Sequence, residues 1–68
     1  MEKNKELNKL KLTRILSGLT QLELEEKSGV LQCRISKHEN GYADLNQKEK
    51  KALAGALNVE LEEIFPEG

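Results

Sequence analysis

Residues 20–41 read TQLELEEKSGVLQCRISKHENG, and the arrangement of the whole chain follows from how this stretch is parsed. It opens with Thr20-Gln21-Leu22-Glu23, the T-x-x-E spacing of a capping box. In that device the threonine hydroxyl accepts the Glu23 backbone N–H, and the glutamate carboxylate reaches back to the N–H of Thr20. A helix started this way runs to about Ser28 and is ended by Gly29. Only Gly29-Val30-Leu31 separates it from a second helix over residues 32–39, which Asn40-Gly41 closes. Two short helices joined by a three-residue turn that begins with glycine describe a helix-turn-helix. On the second helix, Gln32, Cys33, Ser36 and Lys37 stand at i, i+1, i+4 and i+5, so they share one face, opposite Ile35.

The flanking sequence supplies partners for the apolar side of that pair. Upstream, Leu7, Leu10 and then Arg14 form a stripe on a helix covering roughly residues 5–17, with Gly18 as its left-handed C′ residue. Downstream, Asn46-Gln47-Lys48-Glu49 repeats the capping-box logic and opens a further helix whose stripe is Leu53, Ala56 and Leu57, with Asn58 as a left-handed stop. Leu61, Ile64 and Phe65 form a short last turn ended by Pro66. β-Branched and aromatic residues are too sparse for a sheet. The expectation is an all-α fold of five short helices in a single domain over residues 1–68, with residues 1–4 and 66–68 flexible.

Composition narrows the function. At 68 residues the chain can bury only a small core, about 60% of its unfolded surface. The single Cys33 excludes an internal disulfide and leaves too few cysteines for a zinc knot. No apolar run approaches the length of a membrane span. Net charge is −1, but it is unevenly spread: residues 1–14 sum to +3, residues 21–30 to −2, residues 31–51 to +2 and residues 52–68 to −4. A modestly basic face therefore fits within a nearly neutral chain.

Residues 14–41, RILSGLTQLELEEKSGVLQCRISKHENG, resemble the helix-turn-helix of the phage repressor and Cro type, also called the xenobiotic-response-element family. The likeness continues through LAGALNVELEEIF and covers roughly residues 7–65. It is carried by Leu19-Thr20-Gln21, the Gly29-Val30 turn, Ile35, Glu39-Asn40-Gly41 and Ala56-Leu57-Asn58-Val59. The resemblance implies a compact five-helix, lambda-repressor-like domain that binds double-stranded DNA. The helix over 32–39 would enter the major groove and the helix before it would cross the backbone. Gln32, Cys33, Ser36 and Lys37 would then face base edges. Thr20 and Gln21 would touch phosphates at a helix N-terminus, Asn40, the Gly41 backbone and Tyr42 would hold the far phosphate, and Arg34 would reach one from the flank. The resemblance also pairs Arg14 with Glu39 as a structural ion pair. It implies a homodimer on an inverted repeat, a regulator acting most simply as a repressor, and a cytoplasmic protein of prokaryotic or phage origin.

Five positions depart from the family pattern. Glu25 stands where alanine is usual, so its side chain must reach outward or the helix crossing must open. Leu31 replaces the serine or threonine cap of the second helix and leaves an N–H without its acceptor. Ser28 takes the place of a larger apolar residue, thinning the core. Lys50 and Lys51 fall where leucine is common, turned toward solvent or DNA phosphates. His38 is expected as a half-buried, neutral histidine closing the core, and Cys33 as an unreactive contact residue. Leu61, Ile64 and Phe65 are expected at a dimer surface, having little core left to fill. No cofactor, metal or small-molecule ligand is implied, and no nucleophile–base pair or phosphate-cradling loop can be assembled for an enzyme. The competing reading is the same fold used as a protein-interaction module with little DNA affinity, favoured by the net charge and the acidic helix over residues 21–28.

Overall fold

The computed structural model describes residues 8–66, and among them every regular element is helical. In chain order these are α1 (Lys9–Leu16), α2 (Gln21–Ser28), α3 (Gln32–Glu39), α4 (Gln47–Leu57) and α5 (Leu61–Ile64). The expected start of the first helix near residue 5 is corrected. Asn8 is extended at φ −73°, ψ 123°, and its side chain accepts the Lys11 N–H, so it is the N-cap and α1 begins one residue later. Leu7 lies outside the described residues.

The remaining boundaries follow from caps. Both capping boxes are formed, Thr20 with Glu23 and Asn46 with Glu49, each with its two reciprocal hydrogen bonds between 2.7 and 3.0 Å. Gly29, at φ 82°, ends α2 in the left-handed region, and a Cβ there would meet no neighbour. Any other residue would therefore carry the conformational cost of the turn alone. Asn58 closes α4 in the same region at φ 62°, where its short polar side chain is tolerated.

The core is one cluster drawn from every helix: Leu10, Leu24, Val30, Ile35, Leu45, Leu53, Ala54, Leu57, Ile64 and Phe65. Helix α2 packs on both α3 and α4, and α5 packs on α1 and α4. Leu45, in the segment before α4, and Val30, in the turn, are core residues that helical periodicity does not reveal. On α4 the buried set is Leu53, Ala54 and Leu57, and Ala56 is only partly buried. The α4 stripe is thus rotated by part of a turn from the sequence expectation.

The expected dimer surface is overturned at its centre. Ile64 and Phe65 are 3% and 5% exposed within a single chain, and Leu61 packs partly buried against the same cluster. The reason is geometric, since packing α5 against α1 and α4 brings these side chains into the core. The Phe65 ring meets His38 edge-on, with centroids 5.4 Å apart, and the Lys50 ammonium lies 5.5 Å from its centroid. Lys50 thus covers the ring in place of the leucine common in the family, while Lys51 is exposed. Ser28 has a different use, because its hydroxyl accepts the Val30 N–H at 3.1 Å and so stiffens the turn.

Candidate nucleic-acid interface

Helix α3 presents Gln32, Cys33 and Lys37 to solvent, with Ser36 half-buried between them and Ile35 buried on the opposite side. The four side chains occupy one face, and Leu31 and the 80%-exposed Tyr42 flank it at the two ends of the helix. A polar helical face bordered by apolar groups has the width and chemistry to meet base edges, with an amide for adenine, an ammonium for guanine acceptors and apolar atoms for thymine methyls.

What distinguishes α3 is how firmly it is held. At its C-terminal end, Glu39 is 8% exposed and chelates Arg14, whose Nε and Nη2 donate to the two carboxylate oxygens at 2.8 and 3.0 Å. Arg14 also donates from Nη1 to the Leu19 carbonyl, and Gln21 donates from Nε2 to Glu39 Oε1 at 3.0 Å. The hydrogen bonds to Glu39 hold the Arg14 guanidinium above its usual pKa, against the opposing effect of burial. Asn8 adds a donor to the His38 carbonyl at 3.1 Å, and the His38 ring approaches the Ala43 carbonyl through Nδ1 at 3.3 Å. One buried carboxylate and one cap residue therefore tie α1, α2 and the end of α3 together.

The middle of α3 is braced to α4. Arg34 donates from Nε and Nη2 to the two oxygens of Glu49 at 3.0 and 2.7 Å. Two arms of the fork that the resemblance aims at a phosphate are thus engaged by a carboxylate, and the Arg34 side chain stays 38% exposed. The Arg34 hydrogen bonds come first, and the Asn46 N–H second, in holding the Glu49 carboxyl below the ordinary carboxylate range. A depressed folded-state value means that this stabilisation is present above the unfolded pKa and is lost as pH falls through the folded one. Glu49→Gln is therefore expected to lower stability at neutral pH and to flatten the acid limb of the unfolding free energy. Urea titrations of both proteins between pH 7 and pH 3 check this, and parallel limbs would refute it.

The N-terminal end of α3 is held from α2. Leu31, the N-cap, has no side-chain acceptor, and the Gln32 N–H donates to Glu25 Oε1 at 2.8 Å. The two departures noted separately in the sequence, glutamate for alanine and leucine for a capping residue, thus compensate each other across the turn. Each one was a visible signal. Their coupling was not, because it depends on how α2 crosses α3.

Backbone donors at the far end of α3 are less available than the resemblance implies. Asn40, Gly41 and Tyr42 donate their N–H groups to the carbonyls of Ser36, His38 and Lys37, the closure of a helix that ends on a left-handed glycine, here at φ 80°. The Gly41 N–H, which the resemblance aims at a phosphate, thus has an acceptor within the chain. The exposed Asn40 side chain and the Tyr42 hydroxyl remain on that side. At the start of α2, the Thr20 hydroxyl accepts from Glu23 and keeps its own proton to donate. Gln21 keeps one of its two amide hydrogens beyond the one given to Glu39.

Among the described residues no three His, Cys, Asp or Glu side chains are grouped to hold a metal ion, and no helix is long and apolar enough to cross a membrane. A short helix with a polar outer face, braced at both ends and in the middle behind a three-residue turn, is the second helix of a helix-turn-helix. A family model described as helix-turn-helix matches residues 10–64. The chain belongs to that family, the repressor and Cro-type (xenobiotic-response-element) group of DNA-binding regulators. Among curated proteins none matches the chain.

Proposed function

We propose that the protein is a sequence-specific transcriptional regulator, most simply a repressor or autoregulator in the cytoplasm of a prokaryote or encoded by a phage, that reads DNA through α3 as a homodimer. The single observation that carries this reading is the outward face of Gln32, Cys33 and Lys37, with Ser36 half-buried among them, on a helix that hydrogen bonds fix at both ends and in the middle. In this proposal Gln32 pairs with adenine and Lys37 with guanine acceptors, while Cys33 and Ser36 make shorter-range contacts. Thr20 and Gln21 on one side, with Asn40 and Tyr42 on the other, set the register on the backbone. A lone helix of eight residues reaches few base pairs, which favours two copies on half-sites about 34 Å apart. With Ile64 and Phe65 in the core, the dimer surface proposed here lies outside α5.

A second reading is the same fold as a protein-binding module. It is favoured by the apolar side chains that remain exposed on α1, namely Leu12, Ile15 and Leu16, at i, i+3 and i+4 spacing. Salt separates the two, because binding through phosphates weakens steeply as salt rises, whereas binding through leucine and isoleucine does not.

Selection of sites from random duplex DNA, run on the wild type and on Gln32→Ala/Lys37→Ala, tests the first reading. The wild type is expected to enrich an inverted repeat, and the double variant to lose about 10- to 1000-fold in affinity for it, at roughly 1–3 kcal/mol for a good base contact. No enrichment by a folded wild type at low salt would overturn the proposal.

A further inference from the structure

We propose that the outward face of α1 is a homodimer surface, on which a second copy of the chain packs its own α1 in antiparallel orientation. The inference rests on the homodimer of the DNA-binding reading, and its test is made without DNA. Leu10 and Arg14 turn one side of α1 into the protein. The opposite side carries Leu12, Ile15 and Leu16, which are 40%, 53% and 77% exposed. Their i, i+3, i+4 spacing forms the kind of ridge that one helix packs against another. Three large apolar side chains together on one short helix make a patch, not scattered exposure.

Charge decides what covers that patch. The sequence of α1, KLKLTRIL, contains no acidic residue. Lys9 and Lys11 are exposed in its first turn, at the positive end of the helix dipole, where a cation is unfavourable. Arg14, the cation of its last turn, is committed to Glu39, so it does not answer the negative end from outside. Just beyond that end the exposed Glu23 holds its carboxylate at the Thr20 N–H, 2.9 Å away. An antiparallel pair with Leu12 of each copy against Leu16 of the other brings both lysines of each over the negative end of the other. A parallel pair would set lysine against lysine and align the dipoles. The face is thus self-complementary about a two-fold axis, which an isologous contact requires. With α1 only about 12 Å long, the contact falls short of the about 800 Å² per partner of a standard interface. The dimer is therefore expected to be weak in free solution, half-dissociated at a concentration on the order of 100 µM.

Sedimentation equilibrium of the full chain is expected to show the mass rising from one chain toward two between about 10 µM and 1 mM. Ile15→Gln/Leu16→Gln alters the two most exposed positions of the patch and keeps helix propensity. It is expected to unfold like the wild type in dilute solution and to self-associate at least about 10-fold more weakly. Lys9→Glu/Lys11→Glu suits its own helix, since acids favour an N-terminus, yet sets acid against the negative end of the second copy. It is expected to raise the stability of the monomer and to weaken the dimer several-fold at low salt. A monomer at every concentration, or a dimer that neither variant weakens, overturns the proposal. A dimer that enriches no DNA site would overturn base reading by α3 and leave this surface standing.

The orientation is read in the wild type from a mixture of isotope-labelled and unlabelled protein. Intermolecular NOEs are expected between the methyl groups of Leu12 and Leu16. Contacts of Leu12 with Leu12 and of Leu16 with Leu16, without the crossed pair, would mark a parallel arrangement and overturn the proposal.

Discussion

Glu39→Ala is expected to destabilise the protein by about 3–5 kcal/mol, the loss typical of breaking a buried ion pair by removing one partner. The geometry concentrates three hydrogen bonds on this one carboxylate. Both carboxylate oxygens are engaged, Oε2 by Arg14 Nε and Oε1 by Arg14 Nη2 and Gln21 Nε2, at distances of 2.8 to 3.0 Å. Deleting the carboxylate leaves the Arg14 guanidinium, itself 9% exposed, with only the Leu19 carbonyl as partner. A chain of this length has little stability to lose, and the single variant is expected to be largely unfolded at room temperature. The double variant Arg14→Met/Glu39→Leu, which replaces the pair by apolar groups, is expected to remain folded and to lose far less. Denaturant unfolding of the two single variants and the double one gives the coupling directly. If the losses simply add, the pair is not the brace described here. Across the accessible pH range Arg14 adds no pH dependence. Its value is raised in the fold, so its contribution is present at all lower pH and is lost only as pH climbs past that value.

Phe65→Ala carries the second large effect, again about 3–5 kcal/mol, from lost burial and the cavity left by the ring. Phe65 sits where α5 folds back on α4, edge-on to His38 and beneath the Lys50 ammonium, and its neighbour Ile64 is equally buried. Loss of the ring therefore loosens the end of the chain and the C-terminal half of α3 together. The diagnostic feature is concentration. A core residue lowers the unfolding midpoint by the same amount at every protein concentration, whereas a residue at a dimer surface alters how the midpoint depends on concentration. The first behaviour is expected. Phe65→Leu, which keeps part of the volume, provides a folded variant in which the same comparison can be made.

The helices of this fold were legible in the sequence because the signals that end them act over three or four residues. T-x-x-E at residues 20–23, N-x-x-E at residues 46–49 and the glycines at 18, 29 and 41 each place a boundary without reference to the rest of the chain. The outward face of α3 was legible for the same reason, since helical spacing opposite Ile35 is a local property. Leu45 and Val30 were missed as core residues because they lie outside regular helices, where periodicity has nothing to say. Ile64 and Phe65 were misread as surface because counting the core helix by helix left no room for them, and only the return of α5 onto α1 and α4 provides it.

The braces on α3 belong to a different level of organisation. Glu25 and Gln32 are seven residues apart, Arg34 and Glu49 fifteen, and Arg14 and Glu39 twenty-five. A likeness to a known family could suggest the last pair. Whether Arg34 meets a phosphate or a carboxylate, and whether an uncapped helix finds a substitute on its neighbour, depends instead on the angle and separation at which the helices cross. Local chemistry was sufficient for where α2 and α3 begin, end and face. Which charges are engaged and which remain free to meet DNA was set by packing, because a hydrogen bond requires donor and acceptor within about 3 Å, and only the assembled core brings distant residues that close.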